Sequence, residues 1–72
     1  MIKNPPLTVG DLVRLKSSRY WATVTGLDAK TEDARLVTFA WLDRSGALRV
    51  ANALPASLYV RRWGLAFPVI LN

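Results

Sequence analysis

The sequence predicts an all-β fold, and three observations support this prediction. Apolar and polar residues alternate along residues 11–16 (DLVRLK) and again along 21–26 (WATVTG), as they do in half-buried strands. Residues 43–46 (DRSG) are typical of a tight hairpin, in which Gly46 supplies a positive φ. Residues 54–58 (LPASL) are broken by a proline and suit a single 3₁₀ turn.

The first two strands are predicted to turn one face to the core. Val13 and Leu15 share the inward side of the first strand, whereas Arg14 and Lys16 share its outward side. The second strand repeats this alternation over residues 21–26, with Ala22 and Val24 on the inward side, and ends at a glycine. Each strand therefore has one buried and one solvent-facing side.

The rest of the chain adds a loop and further strands. Residues 27–34 (LDAKTEDA) carry four of the chain's eight Lys, Asp and Glu residues and predict an exposed loop. The strand that follows, 35–43 (RLVTFAWLD), places three large side chains on its core face: Val37, Phe39 and Trp41. Its other face is also apolar, which is typical of a central strand or of one covered by a partner. Residues 47–52 form the return strand of the hairpin, and 59–63 resume strand character.

Together these elements predict a small SH3-like barrel of about five short strands with one 3₁₀ turn. At 72 residues the chain is expected to hold one domain. We expect an extended N-terminal lead-in at 1–8, the barrel at 9–62 and an apolar C-terminal tail at 63–72.

Composition limits the function classes. Ten Lys and Arg face five Asp and Glu, and the net charge of +5 favours anionic partners, nucleic acid first among them. The chain contains no cysteine and no histidine, which removes disulfides, thiolate ligands and the commonest general base. We therefore expect no metal and no cofactor. A chain this short buries only about 60% of its unfolded surface, and 51% of its residues are hydrophobic, so we expect a homo-oligomer.

The N-terminal residues predict neither export nor membrane insertion. They carry one charge and two prolines where a signal segment would be apolar. No apolar run approaches the ~20 residues that a membrane-spanning helix needs. We expect a cytoplasmic protein with no membrane partner.

Residues 9–60 resemble the small YodC-like bacterial proteins. That family opens with Gly-Asp-x-Val-x-Leu-Lys-Ser and has Trp-x-Asp before its hairpin. The matching residues here are Gly10, Asp11, Val13, Leu15, Lys16, Ser17, Trp41, Asp43 and Gly46. The resemblance implies an SH3-like barrel, and the family has no established activity.

The opening is also similar to that of the plasmid-borne type II dihydrofolate reductases, which are SH3-like tetramers with one active site in a central pore. The matching residues are Gly10, Asp11, Val13, Arg14, Lys16, Ser17 and Trp21. The family's site depends on a Val-Gln-Ile-Tyr strand and on a lysine directly before the Lys-Ser pair. This chain has Leu-Arg-Val-Ala at 48–51 and Leu15 at those places. The likeness implies the barrel and an oligomer, but not the activity.

Catalytic residues are scarce. Asp11 and Asp43 lie beside turns, where an aspartate usually accepts hydrogen bonds from backbone N–H groups. The other three carboxylates fall in the predicted loop at spacings that match no metal-binding loop. The serines have no histidine partner to activate them. We expect no enzymatic activity.

A basic and aromatic surface is the strongest candidate binding site. Small barrels bind single-stranded nucleic acid by combining a basic groove with aromatic platforms. The residues predicted to form such a surface are Arg14, Lys16, Arg19, Tyr20, Trp21 and Arg49. An aromatic residue at the start of a strand also commonly seals a barrel mouth, and a protein–protein adaptor is the alternative function.

The tail is unusually apolar. One parity carries five large side chains, Trp63, Leu65, Phe67, Val69 and Leu71, and Ala66 and Ile70 make the other face apolar too. Pro68 cannot donate to a central ladder and restricts the segment to an edge strand or an irregular path. Two readings stay open: the tail packs across a homo-oligomer interface, or it covers its own barrel. Arg61 and Arg62 would flank that interface or contact phosphate.

Overall fold

The computed structural model describes residues 6–69, which form one antiparallel sheet of six strands. The strands are β1 (Leu12–Leu15), β2 (Ala22–Gly26), β3 (Val37–Leu42), β4 (Leu48–Ala53), β5 (Leu58–Arg62) and β6 (Leu65–Pro68). A single 3₁₀ turn, Pro55–Ser57, precedes β5. The predicted all-β class and the single 3₁₀ turn are confirmed, and the sheet has one strand more than the five predicted.

The sheet order is β4-β3-β2-β1-β5-β6. The first four strands form a meander, and the 3₁₀ turn then directs β5 back beside β1. There Val13 lies opposite Val60, and Leu15 lies opposite Leu58. The Lys16 backbone N–H donates to the carbonyl oxygen of Ser57 at 2.9 Å and extends this pairing into the turn.

The core lies on the inner face of the sheet. Its buried residues are Leu7, Val13, Ala22, Val24, Val37, Phe39, Leu58, Val60 and Val69. The alternation of β1, β2 and β3 is confirmed, because every second residue of these strands is buried or packed against the core. The two ends of the described chain also contribute, since Leu7 precedes the strands and Val69 follows them.

The tail begins with a tight turn and continues as an edge strand. Arg62 pairs with Leu65, so Trp63 and Gly64 form a two-residue hairpin loop with φ values of 54° and 76°. Positive φ at both central positions is the pattern of a type I′ turn. Among the described residues, Trp63 is the one non-glycine residue with a positive φ. The expectation that Pro68 restricts this segment to an edge or an irregular path is met by an edge strand, β6.

A half-buried ion pair joins the N-terminal turn to the end of β5. Asp11 Oδ2 accepts a hydrogen bond from the Thr8 backbone N–H at 2.8 Å and another from Arg62 Nη2 at 2.9 Å. The same arginine donates to the Pro6 carbonyl oxygen at 3.1 Å. Asp11 therefore has the turn-stabilising role that its position predicted, with the ion pair in addition.

The β3–β4 hairpin depends on Asp43. Its Oδ1 accepts hydrogen bonds from the Ser45 hydroxyl at 2.6 Å and from the backbone N–H groups of Ser45 and Ala47. Its Oδ2 accepts one from Arg49 Nε at 2.8 Å. Hydrogen bonds from the Ser45 hydroxyl and the Arg49 guanidinium lower the pKa of Asp43 from 3.8 to about 2. Gly46 has a φ of 83°, as the hairpin prediction required.

The first prediction concerns this carboxyl. We expect Arg49→Gln and Ser45→Ala each to raise the pKa of Asp43 from about 2 toward 3.8, because each removes a donor. Since folding lowers this pKa, Asp43 stabilises the fold above its ordinary pKa and loses that contribution as the pH falls toward 2. The carboxyl-carbon NMR shift followed against pH measures the change. Arg44→Gln is the control, because it removes the same charge from the residue next to Asp43. An equal rise in the pKa of Asp43 in this variant would contradict a specific role for Arg49.

Candidate nucleic-acid interface

The outer face of the sheet brings cations and aromatic rings together across β2, β1 and β5. Arg14 lies opposite Tyr59 in the β1–β5 ladder, and the β1–β2 register places Trp21 on its other side, directly before β2. The order follows from alternation, because the neighbours Val13, Ala22 and Val60 point into the core. The same backbone pairing that builds the core therefore aligns these three outward side chains.

Cation–π contacts connect these side chains and two further cations. Arg14 Cζ lies 4.8 Å from the centre of the Tyr59 ring and 5.4 Å from that of Trp21. Lys16 Nζ lies 5.4 Å from the Tyr59 centre, and Arg61 Cζ lies 5.9 Å from the Trp21 centre. Arg14 Nη1 also donates to the Ser18 carbonyl oxygen at 2.9 Å. We call these five residues, Arg14, Lys16, Trp21, Tyr59 and Arg61, the basic-aromatic face.

Two of the carboxylates of the described residues are paired with arginines outside this face. Asp11 pairs with Arg62, and Asp43 pairs with Arg49. The remaining three are exposed in the loop between β2 and β3, which folds back on itself through a bridge between Lys30 and Arg35. Within residues 6–69, the three cations of the basic-aromatic face form no salt bridge, so their charge remains available to an anion.

Three of the six predicted binding residues belong to the basic-aromatic face, and three lie outside it. Arg14, Lys16 and Trp21 belong to the basic-aromatic face. Arg19 and Tyr20 lie on the connection between β1 and β2 and are exposed. Arg49 does not join this surface, because β4 lies at the edge of the sheet and its guanidinium is paired with Asp43.

Tyr59 and Arg61 belong to the face and were not among the predicted binding residues. Their signal was present in the sequence, since residues 58–61 (LYVR) alternate in the same way as the first strand. The alternation indicates that Tyr59 and Arg61 share the outward side of β5. It does not indicate which strand β5 pairs with. For this reason the sequence alone does not place Tyr59 opposite Arg14.

Tyr20 marks a separate feature, a cavity that it lines together with residues of β1, β2 and β3. The cavity has a volume of about 120 Å³, and its wall includes Arg14, Ser18, Tyr20, Phe39 and Trp41. Tyr20 is 63% exposed, whereas Trp41 packs partly against the core and stacks on Phe39 with ring centres 5.7 Å apart. Trp41 therefore meets the core prediction on one side and faces the cavity on another.

The predicted interface residues of the tail occupy different environments. Trp63 and Leu65 are 68% and 60% exposed, and Phe67 is half-buried with its ring edge-on to Trp63 at 6.1 Å. Val69 belongs to the core of its own chain and is not on the surface. Leu71 lies outside the described residues.

A second apolar surface lies on the outer side of β3 and β4 and was not predicted as an interface. Ala40 lies opposite Val50, and Leu42 lies opposite Leu48. Leu42, Leu48 and Val50 are exposed. The apolar outer side of β3 was evident in the sequence, and the structure shows that nothing in residues 6–69 covers it.

Neither a metal site nor a membrane helix is found in the described part of the chain. Residues 6–69 hold no group of three or more metal-ligating side chains, and they form no helix with the length and apolarity to cross a membrane. Searches against protein-family models, curated proteins and solved structures find no match for this chain. The resemblances to the YodC-like proteins and to the type II reductases stay predictions.

The second prediction tests the contacts of the face. We expect Arg14→Gln to lower the free energy of unfolding by about 1–2 kcal/mol, because it removes the cation from two partly buried rings. Arg19→Gln removes the same charge from an exposed neighbouring position and should change stability by less than about 0.5 kcal/mol. Urea unfolding of both variants measures the difference. Equal losses in the two variants would show that the ring contacts contribute nothing.

Proposed function

We propose that this chain is a non-catalytic interaction module that binds nucleic acid through its basic-aromatic face. The observation that carries the proposal is the grouping of Arg14, Lys16 and Arg61 around two aromatic rings, with no salt bridge to a carboxylate of residues 6–69. A cytoplasmic location, as the sequence predicted, belongs to the same proposal.

The chemistry of the face suits a phosphate backbone. Cations that neutralise phosphates release condensed counterions, and this release supplies most of the affinity of sequence-independent binding. A guanidinium that contacts a ring face keeps its in-plane N–H groups available for phosphate oxygens. Because Arg14 is held by two rings and by the Ser18 carbonyl, binding orders it at little further entropic cost.

The alternatives differ in how they respond to salt and to small molecules. A protein–protein adaptor that used this surface through apolar contacts would keep its affinity as the salt concentration rises. A reductase-type pore enzyme would bind folate and nicotinamide ligands. This chain has Leu-Arg-Val-Ala at 48–51 and Leu15 at the places where that enzyme family carries its active-site strand and lysine.

The third prediction is a salt dependence. With Arg14, Lys16, Arg61 and the nearby Arg19 each meeting a phosphate, the logarithm of the association constant for a single-stranded oligonucleotide should fall against log salt with a slope of about −3. Arg61→Gln should make that slope shallower by about 0.7. Fluorescence anisotropy between about 50 and 200 mM salt measures both slopes.

Arg35→Gln serves as the matched control, because it removes an equal charge from an exposed site in the β2–β3 loop. Its slope should equal that of the unaltered protein. A flat slope in the unaltered protein, or equal changes in both variants, would contradict binding through this face.

We further propose that the chain self-associates through β4 and the apolar patch beside it. An edge strand presents unpaired backbone N–H and C=O groups, which a second copy can satisfy by strand pairing. β4 is such an edge, Leu48 and Val50 lie on its outer side, and Leu42 lies beside them on β3. Contiguous exposed side chains of this size are typical of protein interfaces. The tail residues Trp63 and Leu65 offer a rival contact at the opposite edge.

The fourth prediction separates these two contacts. We expect light scattering to give the mass of a dimer or larger assembly, and Val50→Lys to reduce it to a monomer because a charge then lies in the patch. Leu65→Lys places the same charge on β6, with similar exposure of the original side chain, and should leave the assembly intact. Dissociation by Leu65→Lys alone would assign the interface to the tail. A monomeric unaltered protein would contradict self-association.

A further inference from the structure

We propose that the cavity between Tyr20 and Trp41 receives one unstacked base of a single-stranded nucleic acid whose backbone crosses the basic-aromatic face. The inference rests on the proposed function and specifies its ligand: single-stranded rather than duplex nucleic acid, held by a base as well as by phosphates. The cavity would give the surface a way to distinguish a nucleic acid from other polyanions.

The walls of the cavity suit a planar ring. Tyr20, Phe39 and Trp41 all line it, and Phe39 stacks on Trp41 with an interplanar angle of 28°. Base–aromatic stacking is the main sequence-tolerant contact of single-strand-binding proteins. The cavity has a volume of about 120 Å³, and Tyr20 and Trp41 also line two neighbouring cavities of about 420 and 260 Å³.

The position of Tyr20 favours a binding role over a packing role. The residue is 63% exposed and is absent from the hydrophobic core and from the residues packed against it. A short connection fixes its backbone, because the Tyr20 N–H donates to the Ser18 hydroxyl at 3.1 Å and the Ser18 N–H donates to the Leu15 carbonyl oxygen. An exposed aromatic ring on a fixed backbone is a stacking surface that loses little entropy on binding.

Arg14 joins the cavity to the basic-aromatic face. It lines the cavity, contacts Trp21 and Tyr59, and donates to the carbonyl oxygen of Ser18, which is also in the cavity wall. A strand whose phosphates meet Arg14 therefore has a neighbouring base within reach of Tyr20. Paired bases in a duplex are stacked on their neighbours and cannot enter, so the cavity selects for single strands.

The experiment compares an oligothymidine with an abasic strand of the same length and with a duplex. The abasic strand keeps the phosphates and lacks the bases. We expect the intact protein to bind the oligothymidine about 5- to 150-fold more tightly than the abasic strand, the range given by one stacked base. Tyr20→Ala should bring this ratio close to one while leaving the salt slope unchanged. Tyr20→Phe should keep the ratio, and Tyr20→Leu, which keeps apolar bulk without a ring, should lose it.

The possible failures can be distinguished. If neither strand binds at low salt, the proposed function fails and this inference fails with it. If both strands bind equally to the intact protein, or if Tyr20→Ala keeps the ratio, the phosphate-binding function stands and the base cavity is overturned. Duplex binding as tight as single-strand binding also overturns it. Circular dichroism of each variant shows that it is folded, and Tyr20→Leu carries the comparison if the alanine variant is not.

Discussion

The pairing of β5 with β1 is the interaction on which the rest of the structure depends. It buries Val13 against Leu58 and Val60 on one side of the sheet and places Arg14 opposite Tyr59 on the other. Because successive side chains point to opposite faces, a shift of β5 by one residue would expose Leu58 and Val60 and bury Tyr59 and Arg61. The apolar core therefore selects the same register that assembles the basic-aromatic face.

This coupling explains how so small a domain can hold an ordered cationic surface. The core consists of nine buried side chains in the described region, and two of them, Leu7 and Val69, come from outside the strands. The basic-aromatic face lies on β1, on β5 and on Trp21 directly before β2, and each of these three strands has a neighbour on both sides. The two edge strands, β4 and β6, each have a neighbour on one side only and carry exposed apolar side chains.

The sequence predicted most of the fold and part of the candidate site. Alternation located Val13, Ala22 and Val24 in the core because a half-buried strand requires it. The β6 strand was harder to foresee, since a type I′ turn at Trp63-Gly64 uses a tryptophan where Asn, Asp or Gly is usual. The site depends on contacts between distant segments. No local pattern states that Arg14 lies against Tyr59 or that Arg61 lies over Trp21.

The most direct test of this account is an NMR titration of the uniformly ¹⁵N-labelled full chain with a short single-stranded oligonucleotide at low salt. The account predicts that shifts concentrate at Arg14, Tyr20, the Trp21 indole, Tyr59 and Arg61, and that the Asp43–Arg49 hairpin stays unchanged. It would be contradicted by shifts confined to that hairpin or to the tail, or by a spectrum that does not change even at a large molar excess of oligonucleotide.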